Sequence, residues 1–243
     1  MRDQAPEIGF DRHLELHWLD AVASWAAAGA SEAEIKAHFA DLLATIDQGE
    51  VAKRKNRTVL TAVWLRVPVG LEAFHRAGLA LLPAATPAER TAIHFGRCMV
   101  AYPFFAFIAT QTGRLLGLQG DVSSSDIYRR VAERYGDRSR ARRSAQHVLS
   151  TLTAWRLLDP LRAGDYVAKT PLAIDNRQLI GWLMEAQLRS TGQEAAPLSA
   201  LLAHPVFFAF RFPSIAPGEF VRANPRFDSL QQGLNADLVV LAQ

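Results

Sequence analysis

Apolar residues recur at helical spacing through the first hundred residues. Between His13 and Ala28 they form one face of an amphipathic helix that Gly29 ends, and this face consists of Leu14, Trp18, Ala21, Val22 and Trp25. Ser31 and Glu34 have the spacing of a capping box, which predicts the start of a second helix. The apolar positions of that helix are Ile35, Phe39, Leu42, Leu43 and Ile46.

The same periodicity predicts three more helices, over Val51 to Leu65, Leu71 to Leu81 and Ala88 to Ala101. Thr86 is suited to cap the last of these, and Pro87 fits its first position because a missing N–H costs nothing there. We therefore predict an all-helical N-terminal unit over residues 1–100.

A run without charged residues extends from Cys98 to Gly113. A membrane-spanning helix needs about 20 mostly apolar residues, and this run has 16, with a proline inside it and Gln and Thr near its end. The run predicts a buried core helix, around Phe104 to Leu116, and no membrane partner. Cys98 is the one cysteine of the chain, so an intramolecular disulfide is impossible and a reducing, cytoplasmic setting is expected. The N-terminal residues do not have the pattern of a secretory signal peptide.

Two helices and a hairpin are predicted after this run. Ser123 and Asp126 predict the start of a short helix that ends at Gly136, and Asp137 is positioned to cap the next one. The second helix has an unbroken apolar stripe of Ala141, Ala145, Val148, Leu149, Leu152 and Trp155. Turn signals and the strand-like alternation of residues 166–170 follow it. This order is typical of a winged helix-turn-helix with a short β wing, which we assign to residues 101–172.

The basic residues of the chain are concentrated in this unit. From Asp126 to Lys169 there are ten Arg or Lys against five Asp or Glu, which leaves 17 of the 27 basic and 19 of the 24 acidic residues elsewhere. Residues 129–143 alone contain seven arginines. A local excess of cations of this size suggests an anionic partner.

On a wheel of about 100° per residue, the polar side chains of the second helix lie opposite its apolar stripe. This outer face holds Ser139, Arg140, Arg143, Gln146, His147 and Ser150, with Arg142 at its edge and Arg138 at the start of the helix. Arginine binds guanine or phosphate and glutamine pairs with adenine, so the face has the chemistry of a recognition helix in the major groove. Further cations are expected near phosphates: Arg129, Arg130, Arg134, Arg162 and Lys169. An alternative that these residues leave open is a docking surface for an acidic protein partner.

Residues 173–243 are predicted to form a helical and aromatic unit packed on the rest of the chain. A helix is predicted from Arg177 to Arg189 with a stop near Gly192. The segment HPVFFAFRFP, residues 204–213, is too aromatic for a surface loop, and DLVVLA near the end predicts a short strand or a last helical turn. The predicted class is thus mainly α: helical bundle units around a central winged helix-turn-helix.

No catalytic site, metal site or cofactor is predicted. HLELH places His13 and His17 at the i, i+4 spacing of a helical metal pair, but a third ligand is not evident. Nucleophile-elbow, phosphate-loop and dinucleotide-binding motifs do not occur in the sequence. A non-enzymatic protein is expected.

Two long segments carry a resemblance to a known family. The run YPFFAFIATQTGRLLGLQG, residues 102–120, and residues 127–155 resemble the BrxA proteins of bacterial BREX phage-defence systems. HPVFFAFRFP and LQQGLNADLVVL, residues 230–241, are similar to the C-terminal end of that family. The resemblance implies a small, mostly helical, non-enzymatic protein that binds double-stranded DNA beside the other proteins of a defence complex. It assigns no catalytic residue.

Overall fold

The computed structural model describes residues 8–44, 49–231 and 237–242, which are mainly helical. The helices are α1 (Leu16–Ala27), α2 (Glu32–Ala37), α3 (Phe39–Leu42), α4 (Glu50–Trp64), α5 (Glu72–Leu81), α6 (Pro87–Ala101), α7 (Pro103–Gln119), α8 (Ser124–Tyr135), α9 (Ser139–Ala154), α10 (Arg177–Thr191), α11 (Leu198–Leu202) and α12 (Pro217–Ala223). The strands are β1 (Asp121–Ser123), β2 (Leu158–Arg162), β3 (Asp165–Ala168), β4 (Leu172–Ala173), β5 (Ala195–Pro197), β6 (Phe210–Arg211), β7 (Phe227–Gln231) and β8 (Asp237–Leu241). Buried apolar side chains from all three predicted units belong to one contiguous core.

The predicted helices of the N-terminal region are present. Ser31 and Thr86 each form a complete capping box, which fixes the starts of α2 and α6 where the sequence predicts them. The second predicted helix is shorter than expected, because it is divided at His38, whose ring packs against Trp25 with ring centroids 4.9 Å apart. Ile46 lies outside the described residues.

The run Cys98–Gly113 is mostly buried, as predicted, and the predicted apolar helix around Phe104 to Leu116 is α7. The run is divided between α6 and α7, which meet at an angle of 119°. Pro103 has no N–H to donate to the preceding turn and forces Tyr102 into an extended conformation, with φ −138° and ψ 91°. Among the described residues, no single helix is long and apolar enough to cross a membrane. Taken together, α6 and α7 have the length and apolar composition of a membrane span, but they are bent.

The two predicted helices after the apolar run are α8 and α9, and the predicted hairpin is formed by β2 and β3. Gly164 turns the hairpin with φ 84°, a conformation that suits glycine. Residues 117–125 contain the end of α7, the strand β1, which pairs antiparallel with β3, and the start of α8. The result is a three-stranded sheet in the order β1-β3-β2 beside α8 and α9.

Asp137 does not cap α9 as predicted. The residue at the N-cap position is Arg138, which makes no capping hydrogen bond through its side chain. The Asp137 carboxylate instead pairs with Arg142, with 2.7 Å between Oδ1 and Nη2. The start of α9 therefore has a cation where the sequence predicts an anion.

The C-terminal region packs on the N-terminal helices and on α7. Helix α10 lies against α6, and its Trp182 stacks on Phe74 with ring centroids 4.6 Å apart. The aromatic segment forms a 3-10 turn over Pro205–Phe207 that packs on α7, and Val206, Phe207 and Phe210 are buried as predicted. The end of the chain is a strand, β8, between β5 and β7.

A buried histidine joins α1, α4 and α6. His94 is fully buried, and its Nδ1 accepts a hydrogen bond of 3.1 Å from Trp64 Nε1. Nε2 must therefore carry the proton, which it donates to Asp20 Oδ1 at 3.3 Å. The hydrogen bond from His94 lowers the pKa of Asp20 to about 2, helped by Arg90 at 2.7 Å. Burial lowers the pKa of His94.

The free energy of unfolding should fall as the solution is acidified below pH 6.5. The unfolded chain protonates His94 near its ordinary pKa of 6.5, whereas the buried native ring resists protonation, so the unfolded state binds more protons. Asp20 adds a further loss between pH 3.8 and about 2. Thermal unfolding between about pH 7.5 and 5 measures this dependence. His94→Gln should flatten it, and a variant curve parallel to that of the wild type would contradict the assignment.

Candidate nucleic-acid interface

Many basic side chains of the central unit already have partners. Four of them form ion pairs with neighbouring carboxylates: Arg129 with Asp126 at 2.9 Å, Arg142 with Asp137 at 2.7 Å, Lys169 with Asp159 at 2.9 Å, and Arg162 with Asp165. Two others have uncharged partners. Arg130 donates to Gln111 at 3.3 Å, and the guanidinium of Arg134 lies 5.4 Å from the centre of the Phe107 ring.

Arg138, Arg140 and Arg143 are exposed and have no ion-pair partner among the described residues. All three lie in the first six positions from the N-cap of α9. Four of the five acidic residues of the basic segment are used by the ion pairs described above, so these three arginines are not neutralised locally. We call Arg138, Arg140 and Arg143 the free arginine cluster.

The backbone at the start of α9 adds to this positive potential. The Ala141 and Arg142 amides donate to the Arg138 carbonyl, which closes the first turn. The N-cap side chain accepts no hydrogen bond from the amides of that turn. An uncapped helix N-terminus attracts anions, because its unpaired N–H groups and the helix dipole both favour negative charge. The free arginine cluster and the helix end thus reinforce one another.

Gln146 links three elements of the central unit. Tyr128 on α8 donates its hydroxyl to Gln146 Oε1 at 2.6 Å. Gln146 Nε2 donates to Ser150 Oγ and to the Tyr166 hydroxyl on β3, each at 3.3 Å. The amide predicted to contact adenine is therefore engaged within the protein, where it fixes α9 against α8 and the hairpin. The sequence did not predict these contacts of the two tyrosines, because periodicity carries no information about a hydroxyl partner.

His147 lies at the edge of the outer face, next to the N-terminal segment. Burial lowers the pKa of His147, and the charge of the nearby Arg12 lowers it further, so the ring is neutral at physiological pH. The same segment is held on α9 by two hydrogen bonds: Leu14 N donates to Thr151 Oγ1 at 3.1 Å, and Trp155 Nε1 donates to the Leu14 carbonyl at 2.9 Å. Arg12 is a basic residue of this region that the sequence did not single out, because it is more than 130 positions from His147.

The hairpin presents a mixed surface. Arg162 forms an ion pair with Asp165, and Lys169 forms one with Asp159. Leu161, beside Arg162 in β2, is 57% exposed. Ser139 is exposed at the first position of α9. Exposed ion pairs contribute only about 0–1 kcal/mol, so a phosphate can replace the carboxylate of either pair at small cost.

The two histidines of HLELH do not share a helix. Helix α1 begins at Leu16, so His13 precedes it, and its Nε2 lies 2.7 Å from Glu15 Oε1. Within residues 8–44, 49–231 and 237–242, no group of three or more His, Cys, Asp or Glu side chains is arranged to hold a metal ion.

The free arginine cluster stands at the end of a helix that is anchored on both flanks, by the Gln146 network and by the N-terminal segment. The chain matches no family model, no curated protein and no solved structure. The charge distribution on α9 is therefore the basis of the function proposed below.

Proposed function

We propose that this protein binds double-stranded DNA through a winged helix-turn-helix formed by α8, α9 and the β2–β3 hairpin. The observation that carries the proposal is the free arginine cluster at the uncapped start of α9. Three exposed guanidinium groups without carboxylate partners create a local positive potential that attracts anions. The phosphates of DNA supply this charge at a regular spacing.

The order of the elements supports the winged form of the proposal. Helices α8 and α9 are joined by a turn of three residues, and the β2–β3 hairpin follows α9 directly. Strand β1, before α8, pairs with β3 and completes a small antiparallel sheet. In a helix-turn-helix, the second helix contacts base edges through its N-terminal residues, and this is where Arg138, Ser139, Arg140 and Arg143 lie.

The residues have separate roles in this proposal. Arg140 and Arg143 contact bases or phosphates from the outer face, with Arg138 and Ser139 at the helix end. Four further cations, each paired with a carboxylate, exchange that carboxylate for a DNA phosphate. They are Arg129, Arg142, Arg162 and Lys169. Gln146, Ser150 and His147 position the helix, because their polar atoms are engaged or partly buried.

Binding should weaken steeply as the salt concentration rises. Three neutralised phosphates correspond to a slope of about −3 for log K against log salt, and five correspond to about −4 to −5. Fluorescence anisotropy of a labelled duplex of about 30 base pairs at several salt concentrations measures the slope. A slope near zero would contradict the proposal. The absence of binding even at low salt would instead favour an acidic protein partner for the same surface.

The wider role rests on the resemblance alone. The likeness of residues 102–120 and 127–155 to BrxA proteins supports a non-enzymatic part in a phage-defence complex. A cytoplasmic setting is part of the same proposal, supported by a single cysteine that is fully buried. Metal analysis of the purified protein tests the non-enzymatic part, since a stoichiometric metal would contradict it.

A further inference from the structure

A cavity lies between the N-terminal segment, α4, the bend between α6 and α7, and the first turn of α9. It has a volume of about 360 Å³, within the range of small-molecule sites. Its wall includes three arginines from three different helices or their ends: Arg66, Arg97 and Arg140. The wall also has apolar parts, such as Leu71 and Val100.

Arg97 is a buried cation without a counter-ion. Its side chain is 1% exposed, and no carboxylate among the described residues pairs with it. Nε and Nη2 donate to the Val63 carbonyl, at 2.9 and 2.5 Å, whereas Nη1 is buried with no hydrogen-bond partner in the described part of the chain. Burial lowers the pKa of Arg97 to about 10, so it remains charged at neutral pH.

The surroundings of Arg97 do not neutralise its charge. The centres of the Trp64 and Phe74 rings lie 5.5 and 5.8 Å from its guanidinium carbon. These rings attract the cation through their quadrupoles but carry no negative charge that could neutralise it. Burial and the charge of Arg97 lower the pKa of His75 to about 4, so this neighbour is neutral. A buried charge is normally paired, and the unpaired Nη1 is the feature that requires an explanation.

The cavity has a clear excess of positive charge. Arg66 and Arg140 are exposed and, like Arg97, have no ion-pair partner among the described residues. The one carboxylate in the wall, Asp11, is already near Lys55, with 3.7 Å between Oδ2 and Nζ. An anionic ligand would compensate all three arginines.

We propose that this cavity binds a small organic phosphate, with Arg66 and Arg140 contacting the phosphate, the buried charge of Arg97 attracting it from within the wall, and the apolar wall contacting its organic part. Guanidinium groups form paired, charge-assisted hydrogen bonds with phosphate oxygens. Two of them, with a third positive charge behind the wall, suit a group with several oxygens and more than one negative charge. A mononucleotide has this composition and is a suitable probe.

The site does not depend on DNA binding, although Arg140 belongs to both surfaces. Titration of the full chain with AMP, pyrophosphate and inorganic phosphate by isothermal calorimetry, without DNA, tests it. We expect saturable binding of AMP by the wild type. Arg66→Ala and Arg140→Ala should each raise the Kd about tenfold or more, because each removes charge-assisted hydrogen bonds. Arg76→Ala, which removes an exposed arginine on α5 outside the cavity, should leave the Kd unchanged.

Arg97→Met should weaken the binding of AMP, because it removes one of the three positive charges, while the far-UV circular dichroism stays that of the wild type. If this variant does not fold, Arg66→Ala and Arg140→Ala decide, because both side chains are exposed. Three results would overturn the proposal: no saturable binding of any of the three compounds, equal weakening by Arg76→Ala, or binding that Arg66→Ala does not change. Binding of duplex DNA without binding of AMP would assign the arginines to the DNA backbone and would also overturn it.

Discussion

Reversing two members of the free arginine cluster, in Arg140→Glu/Arg143→Glu, should weaken binding to a duplex about 100-fold or more. Each wild-type side chain offers a charge-assisted hydrogen bond of about 1.5–3 kcal/mol, and the variant loses both. The slope of log K against log salt should become shallower by about 2, because two fewer counter-ions are released. Anisotropy titrations of both proteins at several salt concentrations measure both changes.

A matched control separates the position of the charges from their number. Arg76→Glu/Arg211→Glu changes the net charge equally at two exposed residues, on α5 and at the end of β6. This control should reduce affinity only through the long-range field, by much less than the variant on α9. Equal loss in the two variants would mean that binding follows net charge and that α9 is not the DNA-contacting helix.

Gly113→Ala should destabilise the native state by about 3 kcal/mol or more. A Cβ at this position would lie 1.9 Å from the backbone oxygen of Pro205, in the 3-10 turn packed on α7. Both partners are backbone segments of the core, so neither can move aside as a flexible side chain could. Chemical denaturation of the wild type and the variant measures the loss.

Gly117→Ala is the matched control in the same helix. Gly117 lies one turn later in α7, and a Cβ there meets no atom within 4 Å. The substitution should be neutral or stabilise the protein by up to about 1 kcal/mol, because alanine favours the helix. Equal effects at the two positions would show that the close packing of Pro205 on α7 is not formed.

Local signals in the sequence predicted the starts and ends of several helices correctly. The capping boxes at Ser31 and Thr86 are satisfied within four residues, so they do not depend on the rest of the fold. Gly136 and Gly192 end α8 and α10 with positive φ for the same reason. The helices on either side of Pro103 were predicted from periodicity, which carries no information about the angle between them.

The sequence predicted which residues form the candidate site. The structure shows which of these residues are paired with another side chain and which are not. Charge counting could not distinguish Arg142, which pairs with Asp137, from Arg143, which has no ion-pair partner in the described part of the chain. Arg97 was also overlooked, although an arginine directly before a long uncharged run is a usable signal. Its significance depends on the lack of a carboxylate near it, which is a fact of tertiary packing.

The sequence by itself determined the mainly helical class and the order of α8, α9 and the hairpin. It also determined the concentration of arginines in α8, α9 and the turn that joins them. These follow from periodicity, caps and composition, which act over a few residues. The tertiary structure decided which arginines are free, that Gln146 joins Tyr128 to Tyr166, and that Arg66, Arg97 and Arg140 share one cavity. These depend on contacts between residues up to 74 positions apart, and no local pattern specifies such contacts.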